Sequence, residues 1–274
     1  MTAKSRPAAT GTPRPPRVVR ERLDALLVAR GLAAAPDRAR ALVMAREVLV
    51  DGEVATSPAA PIALDAVIEV KTPPPYVSRG GQKLAHALAH TGVRVEGRRC
   101  LDVGAATGGF TDCLLQHGAA SVVAVDVGYG DFAAKLRDDP RIELHERTNA
   151  RNLEPLNPPA DLVVMDVSFI SITTLLPAVV RSASPGADLL VMVKPQFEAA
   201  SEAVEKGGVV RDPLVHASTV ARVMLAALDL GLRVRGVIRS PLLGPAGNRE
   251  FFLWVRVPER TTEIPMADGI EARS

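Results

Sequence analysis

Between residues 100 and 257 the sequence alternates short apolar runs with segments of helical length, and this alternation constrains the fold most strongly. Continuous apolar runs are typical of strands buried on both faces, as in a parallel sheet covered by helices. The pattern therefore predicts an α/β fold with a doubly wound, Rossmann-like sheet, whose ligands bind beyond the carboxyl ends of the strands. The predicted strands are Cys100–Val103, Val122–Asp126, Ile142–Leu144, Leu162–Val167, Leu189–Val193, Arg233–Ile238 and Phe251–Val257.

Consecutive prolines near residue 74 indicate a domain boundary. Because proline excludes helix and favours extended chain, residues 71–77 are expected to form a linker. The following domain is expected over residues 78–258. Residues 1–19 carry basic side chains and no acid, which predicts a disordered basic tail, and residues 259–274 are expected to form a second tail.

Residues 20–70 predict a small α+β module. Leu23, Leu26 and Leu27 lie at helical spacing and Gly31 is placed to end that helix. A second helix is expected with Asp37 as its N-cap. Strands are predicted at residues 48–50 and 67–70, with a turn at residues 51–52.

Bulk charge gives little information about partners, because the net charge is only +2. A nucleic-acid surface must therefore come from local clusters of basic residues. Arginines are frequent in the module, and one more follows the linker. The candidate RNA-binding residues are Arg20, Arg22, Arg38, Arg40 and Arg79.

Localisation is predicted from what the sequence lacks. No apolar run reaches about 18 residues and no signal-peptide pattern opens the chain, so a cytoplasmic protein without a membrane span is expected. Cys100 and Cys113 are expected to be buried free thiols. His86 and His90 have metal-compatible spacing, but no third ligand is nearby, so no metal site is predicted.

The segment LDVGAATGGF, residues 101–110, predicts a cofactor loop. Small residues at Gly104, Ala105, Thr107 and Gly108 let the backbone approach a ligand closely. Asp126 ends the next strand, where a carboxylate could bridge two ribose hydroxyls. The spacing differs from the dinucleotide motif G-x-G-x-x-G, which argues against NAD. A nucleoside cofactor is indicated, with a tight turn that binds nothing as the alternative.

The N-terminal module resembles the S-four-type RNA-binding domain. The resemblance rests on RERLDALLVARGL, DRARALVM and VLVDGE. The chain departs from that family after the second helix, where Ala45-Arg46-Glu47 replaces the usual glycine. Contact with RNA phosphate is what the resemblance implies.

The rest of the chain resembles the TlyA-type enzymes, once labelled haemolysins and understood as rRNA 2′-O-methyltransferases with an FtsJ-like domain. The motifs are LDVGAATGGFTDCLL, AVDVGYG, ERTNAR, DVSFIS, VKPQFE, GGVVRDP and GPAGNREF. With the module included, the resemblance covers residues 20–257. It implies S-adenosylmethionine as cofactor and ribosomal RNA or ribosomal subunits as partner. The implied cofactor-binding residues are Gly108, Phe110, Asp126, Asn149 and Asp166.

The same resemblance implies a catalytic set of Lys83, Asp166, Lys194 and Glu250. A ribose hydroxyl is protonated at neutral pH, so in-line methyl transfer needs the oxygen to be positioned and its proton removed. Lys194 is interpreted as the general base, which requires a neutral amine, with the carboxylates as orienting groups. The alternative is a charged Lys194 that stabilises the developing alkoxide.

Residues 198–212 form a long glycine-bearing connection after Lys194, and we hypothesise that it orders on RNA binding.

Three rival functions fit the sequence less well. A membrane-active cytolysin would need a spanning or strongly amphipathic segment. A non-catalytic RNA-binding assembly factor would not need the catalytic set. A methyltransferase for small molecules or proteins would not need the basic module. The sequence leaves open whether cytidines of one or both ribosomal subunits are modified.

Overall fold

The chain divides into two units between residues 73 and 74. Its structure, a computed structural model, describes residues 19–71 and 74–259. The expected basic tail before residue 19, the two linker residues 72 and 73, and the expected tail after residue 259 lie outside the described residues.

The N-terminal unit combines two helices with short antiparallel strands. Strand β1 (Arg20–Arg22) pairs with β4 (Pro61–Ala63), and β2 (Val48–Val50) lies between β3 (Glu53–Val54) and β5 (Ile68–Val70). The helices are α1 (Leu23–Ala29) and α2 (Pro36–Met44). Their apolar sides and the strands enclose one core that includes the fully buried Leu23, Leu27, Val43 and Val48.

Two details differ from the sequence prediction. The N-cap of α2 is Ala35, not Asp37, because Pro36 occupies the first helical position and places Asp37 in the first turn. Strands β3 and β4 are additions to the predicted elements, and so is the strand at residues 20–22. This last strand forms because the backbone there pairs with residues 61–63, a partner about forty residues away that local periodicity does not reveal.

Arg46 has a left-handed backbone, with φ +58°, at the end of α2 where the S-four-type family usually has glycine. This conformation costs a non-glycine residue about 1–2 kcal/mol. We therefore expect Arg46→Gly to raise the free energy of unfolding by about 0.5–1 kcal/mol, after the entropy that glycine gains in the unfolded chain. Urea unfolding measures this. The matched change Arg38→Gly, inside α2, should instead lower stability by about 1 kcal/mol, and a loss at both positions would contradict the expectation.

The second unit contains a seven-stranded sheet in the order β11-β12-β10-β9-β6-β7-β8. Of these strands, β12 is inserted between β10 and β11 and runs antiparallel to both. The strands are β6 (Arg99–Val103), β7 (Ser121–Val125), β8 (Ile142–His145), β9 (Ala160–Met165), β10 (Ala183–Val193), β11 (Arg233–Arg239) and β12 (Phe251–Arg256). The predicted α/β fold with a doubly wound sheet is confirmed.

Helices cover both faces of this sheet. They are α3 (Arg79–Thr91), α4 (Gly109–Gln116), α5 (Ala134–Arg137), α6 (Leu176–Arg181), α7 (Pro195–Glu198) and α8 (Pro213–Asp229), with 3-10 turns at Ala150–Asn152, Ile172–Thr174 and Ser201–Ala203. Alternate residues of β10 enter separate cores: Leu190 and Met192 pack with α3 and α4, whereas Leu189 and Val191 pack with α6 and α8. Burial on both faces explains why the strands are continuously apolar.

The two cysteines are buried and unpaired with each other, as expected. Burial in the apolar core raises the pKa of each thiol to about 12, so both stay protonated at neutral pH. Among the described residues, no helix is long and apolar enough to cross a membrane.

Candidate active site

Strand register brings Gly104 and three functional side chains, those of Asp166, Lys194 and Glu250, to the carboxyl edge of the sheet. Met165 pairs with Val103 on one side and with Val191 on the other, so Gly104 and Asp166 leave their strands next to each other. Phe251 of β12 pairs with Val193 of β10. Because these two strands are antiparallel, Lys194 and Glu250 both lie just beyond that last pair.

Lys194 is held by polar groups that follow β9. Its Nζ lies 2.8 Å from Asp166 Oδ1 and donates a hydrogen bond of 2.8 Å to Ser168 Oγ. The Lys194 residue is 9% exposed, whereas the Asp166 side chain is 20% exposed and faces the cavity described below.

Lys83 and Glu250 form a second pair, with Nζ and Oε2 2.5 Å apart and both side chains buried. Lys83 lies on α3, whose N-cap Ser78 accepts a hydrogen bond from the Gly80 amide. The four predicted catalytic residues are therefore present as two lysine–carboxylate pairs. In each pair the carboxylate contacts the lysine directly and fixes its position.

The glycine loop allows backbone segments to approach more closely than other residues would. Gly104 has φ +85°, and a Cβ there would lie 2.7 Å from the backbone oxygen of Asp166. A Cβ on Gly109 would overlap the side chain of Ser78, which couples the start of α3 to the start of α4. The loop therefore holds β6, β9, α3 and α4 against one another at the site.

A cavity of about 250 Å³ opens beside this loop. Four of the predicted cofactor-binding residues line it: Gly104, Asp126, Asn149 and Asp166. Its apolar wall comes from side chains that the sequence patterns do not single out, namely Val103, Val125, Val127, Ile170 and Leu175.

A smaller cavity of about 140 Å³ shares Gly104 and Asp166 with the first. Lys194 and Ser168 line it, together with three further predicted residues, Ala105, Thr107 and Phe110. Gly108 is not among the lining residues of these two cavities. Its φ of +90° and its closeness to the side chains of Phe132 and Leu136 give it a conformational role at the start of α4.

Asp126 accepts hydrogen bonds from two backbone amides at the glycine loop and the turn after β7. One carboxylate oxygen accepts the Ala106 amide at 2.9 Å and the other accepts the Gly128 amide at 2.6 Å. A carboxylate has about four acceptor positions, so capacity remains for hydroxyl donors in the cavity. Asn149 similarly uses its side-chain oxygen to accept the Arg151 amide while it lines the cavity.

Phe169 is the most exposed large apolar side chain of the site, at 90%, on a backbone with φ +64°. Its ring centroid lies 5.1 Å from that of Phe197, and it lines the mouth of the larger cavity. From the motif DVSFIS, the sequence predicts a functional role for Asp166 alone. Phe169 and Ser168 are missed because neither residue type alone indicates a site.

Asp102, on β6 below the glycine loop, is fully buried, and Thr111 Oγ1 donates to its Oδ2 at 2.6 Å. Burial raises the pKa of this carboxyl to about 7. Between about pH 4 and pH 7 the folded state therefore holds a proton that the unfolded chain has lost, so this group lowers stability as pH rises through that window.

We expect Asp102→Asn to remove that dependence. From about pH 4 to about pH 7 the variant should become progressively more stable relative to the wild type. The difference in their free energies of unfolding should grow by at most about 1.4 kcal/mol per pH unit and then level off. Urea unfolding at several pH values measures it. Two curves that stay parallel across the window would contradict the expectation.

The predicted RNA-binding arginines differ in how freely they could contact phosphate. Arg22 pairs with Asp24 at 2.7 Å, Arg40 pairs with Asp37, and Arg20 donates to the carbonyl of Pro61 at 3.2 Å. Arg38 and Arg79 are exposed and have no ion pair within the described parts of the chain. Arg30, which the sequence does not predict as an RNA contact, instead ties α1 to the carbonyls of residues 64 and 66.

The connection after Lys194 is partly anchored. Glu198 is buried and accepts hydrogen bonds of 2.7 Å from Ser171 Oγ and from the Ile172 amide. Asn248 holds the far end by accepting the Val210 amide and donating to the Gly208 carbonyl. Between these anchors the segment is mostly exposed, and its ordering on RNA binding stays a prediction.

Over the described residues no cluster of three metal-type ligands is found, and His86 and His90 stack on each other.

Comparison with known proteins assigns both units. Residues 76–257 match the FtsJ-like methyltransferase family and residues 21–68 match the S4 domain. The 16S/23S rRNA (cytidine-2′-O)-methyltransferase TlyA of Mycobacterium tuberculosis is 49% identical over 92% of this chain and 95% of its own. The chain belongs to the TlyA family.

Other members of the TlyA family agree with this assignment. YqxC of Bacillus subtilis is 43% identical over 87% of this chain and 86% of its own. A solved structure of a hemolysin-named protein from Streptococcus thermophilus is 37% identical, with a TM-score of 0.66 over 90% of this chain and 92% of the other.

Proposed function

We propose that this TlyA-family chain transfers a methyl group from S-adenosylmethionine to a ribose 2′-hydroxyl of cytidine in ribosomal RNA. The observation that carries the proposal is that Lys194 lines the smaller cavity beside Asp166, which also lines the larger cavity, with the pair of Lys83 and Glu250 at the same edge of the sheet. The name of the 49% identical relative supports the cytidine, the 2′-oxygen and the two rRNA species. We propose a cytoplasmic site of action, since ribosomal subunits are the expected substrate.

The two connected cavities fit a nucleoside sulfonium cofactor. Asp126 would accept the ribose hydroxyls, Asn149 and the valine wall would hold the base, and the loop at Ala105 and Thr107 would hold the amino-acid end. S-adenosylmethionine supplies an electrophilic methyl group when it is bound. The negative charge of Asp166 at the junction of the cavities also suits a sulfonium cation.

The protein's own task is to place and polarise the ribose oxygen. We propose that Lys194 acts as an ammonium, oriented by Asp166 and Ser168, and stabilises charge that develops on the oxygen. Lys83, fixed by Glu250, adds positive charge at the same edge. Both lysines are largely withdrawn from water, which strengthens these interactions.

We propose residues 20–70 as the RNA-binding domain and residues 78–258 as the catalytic domain. The exposed Arg38 and Arg79 are the best placed of the predicted RNA contacts, because no carboxylate of the described chain neutralises them. Arg20, Arg22 and Arg40 would first exchange their internal partners for phosphate.

Phe169 is proposed to stack on an unpaired base of the substrate. An aromatic ring that is 90% exposed beside a catalytic cavity suits a base turned out of its helix. We expect Phe169→Ala to lower kcat/KM for rRNA by about tenfold, since stacking contributes about 1–3 kcal/mol per base, whereas Phe169→Tyr should retain most activity. Single-turnover assays measure both. Equal losses in the two variants would exclude stacking as the cause.

The proposed function is tested by transfer of labelled methyl from S-adenosylmethionine to isolated 30S and 50S subunits. We expect label in rRNA at a position that resists alkaline hydrolysis on its 3′ side, because a methylated 2′-oxygen cannot attack the adjacent phosphate. Digestion to nucleosides should place the label on cytidine. Label that is absent from both subunits, or found on a base or a protein, would refute the proposal.

A further inference from the structure

A second, larger groove lies on the α8 side of the sheet. It has a volume of about 590 Å³ and runs between α8 and the strands β11 and β12. Its floor is apolar, formed by Ala217, Val220, Met224, Val237 and Phe251. Val237 is 47% exposed although it belongs to a strand, so this floor is open to solvent.

Three arginines lie along this apolar floor. Arg239 ends β11, Arg249 directly precedes Glu250, and Arg211 comes just before α8. All three are exposed. Arg211 pairs through Nε with Glu205 at 3.0 Å, whereas the side chains of Arg239 and Arg249 have no carboxylate partner within the described chain. Among residues 19–71 and 74–259, no acidic side chain lines the groove.

One end of the groove lies at the catalytic edge of the sheet. Strand β11 is antiparallel to β12, which is antiparallel to β10, so Arg239 and Lys194 both end strands at the same edge. Arg249 and Glu250 are neighbours in the chain. A polymer bound along the arginines would therefore pass next to the lysine–carboxylate pairs.

We propose that this groove binds a single-stranded segment of the substrate RNA that flanks the methylated ribose. Its phosphates would contact Arg239 and Arg249, and a base would lie on the apolar floor at Val237. Unpaired basic groups beside an apolar floor match a nucleic acid strand, which presents charge and flat rings together. The inference rests on the proposed function, because it assumes that RNA reaches the catalytic edge.

The test compares Arg239→Gln, Arg249→Gln and Val237→Ser in the full-length protein, with ribosomal subunits and with a protein-free rRNA fragment. Each arginine variant should weaken binding by roughly 3- to 10-fold at moderate salt and should lower the slope of log K against log salt by about 0.7. Val237→Ser should weaken binding with an unchanged slope. In methyl transfer, Arg239→Gln should raise KM and leave kcat unchanged.

Arg94→Gln is the matched control. Arg94 is exposed, has no ion pair in the described chain and lies before β6, at the opposite edge of the sheet. Equal effects of Arg94→Gln and Arg239→Gln would overturn the proposal, because they would show only loss of bulk charge. Loss of binding to subunits but not to protein-free rRNA would overturn it in favour of a ribosomal protein. The unfolding midpoint and the S-adenosylmethionine affinity of each variant, compared with those of the wild type, show whether the variant is correctly folded.

The outcomes separate this inference from the proposed function. If the wild-type protein methylates rRNA while the Arg239 and Arg249 variants behave as wild type, the groove has another role and the proposed function stands. If the wild-type protein methylates no rRNA, the proposed function fails first, and the salt dependence of RNA binding still tests the groove.

Discussion

Replacing Lys194 by alanine is expected to lower kcat for ribose methylation by about 10²–10⁴, the range typical of a positioned proton-transfer or charge-stabilising group. Lys194 lines the smaller cavity, with Asp166 and Ser168 as fixed partners. Its removal leaves the Asp166 carboxylate beside the reacting atoms with no counter-charge. Affinity for S-adenosylmethionine should be measured alongside, because Lys194 lines the smaller cavity, which would hold the amino-acid end of the cofactor.

Lys194→Arg distinguishes the two chemical roles of this side chain. A guanidinium stays charged at all accessible pH values and cannot accept the hydroxyl proton. Activity of the arginine variant well above that of Lys194→Ala would support the cationic role, whereas an equal loss in both would favour a general base. Single-turnover methyl transfer with saturating enzyme and cofactor gives the rate constant of the chemical step, free of product release.

Lys135→Ala provides the control. Lys135 is 62% exposed, and its Nζ lies 3.4 Å from the carboxylate of the buried Asp112 in the same unit. We expect its replacement to leave kcat unchanged. A similar loss in both alanine variants would indicate that removing any lysine impairs RNA delivery, and Lys194 would then have no special role in the chemical step.

Strand positions could be predicted from the sequence because each buried strand must be apolar throughout. Residues 162–165 and 189–193 are strands that this pattern predicts correctly. Strand direction could not be predicted, since an apolar run has the same composition in either orientation. The antiparallel insertion of β12 between β10 and β11 depends on how the chain returns after Arg239, which is a tertiary property.

The candidate site was predictable only where it coincides with a motif. Gly104 and Asp126 could be selected from the strand-loop pattern, because packing alone seldom requires small residues and a carboxylate at strand ends. Lys83 could not, since it lies on a helix 167 residues from its partner Glu250 and only the family resemblance pointed to it. The groove at Arg239 and Arg249 was missed because its arginines are scattered along the chain and converge only in the folded sheet.

The pair of Lys83 and Glu250 is expected to affect stability as strongly as activity. Both side chains are almost fully buried, at 8% and 1% exposure. Removing one partner leaves the other charge buried without compensation, which typically costs about 3–5 kcal/mol. We therefore expect Lys83→Met and Glu250→Gln each to lower the free energy of unfolding by about that amount, measured by urea unfolding.

The double variant Lys83→Met with Glu250→Gln shows how much of each single loss comes from leaving one buried charge without its partner. Because the two charges disappear together, its stability should recover most of the loss and approach that of the wild type. Arg141→Gln breaks the surface pair with Asp139 as the control and should cost less than about 1 kcal/mol. Single-variant losses as small as that would contradict the buried pair.

Recovery of stability without recovery of activity would be the most informative outcome. A buried ion pair is a weak source of stability compared with apolar side chains of the same size. If the uncharged pair folds as well as the wild type but transfers no methyl group, stability alone would not explain why the site contains the charges. The reason would then be the reaction, in which Glu250 would hold the Lys83 ammonium at the edge where Lys194 is proposed to contact the ribose oxygen.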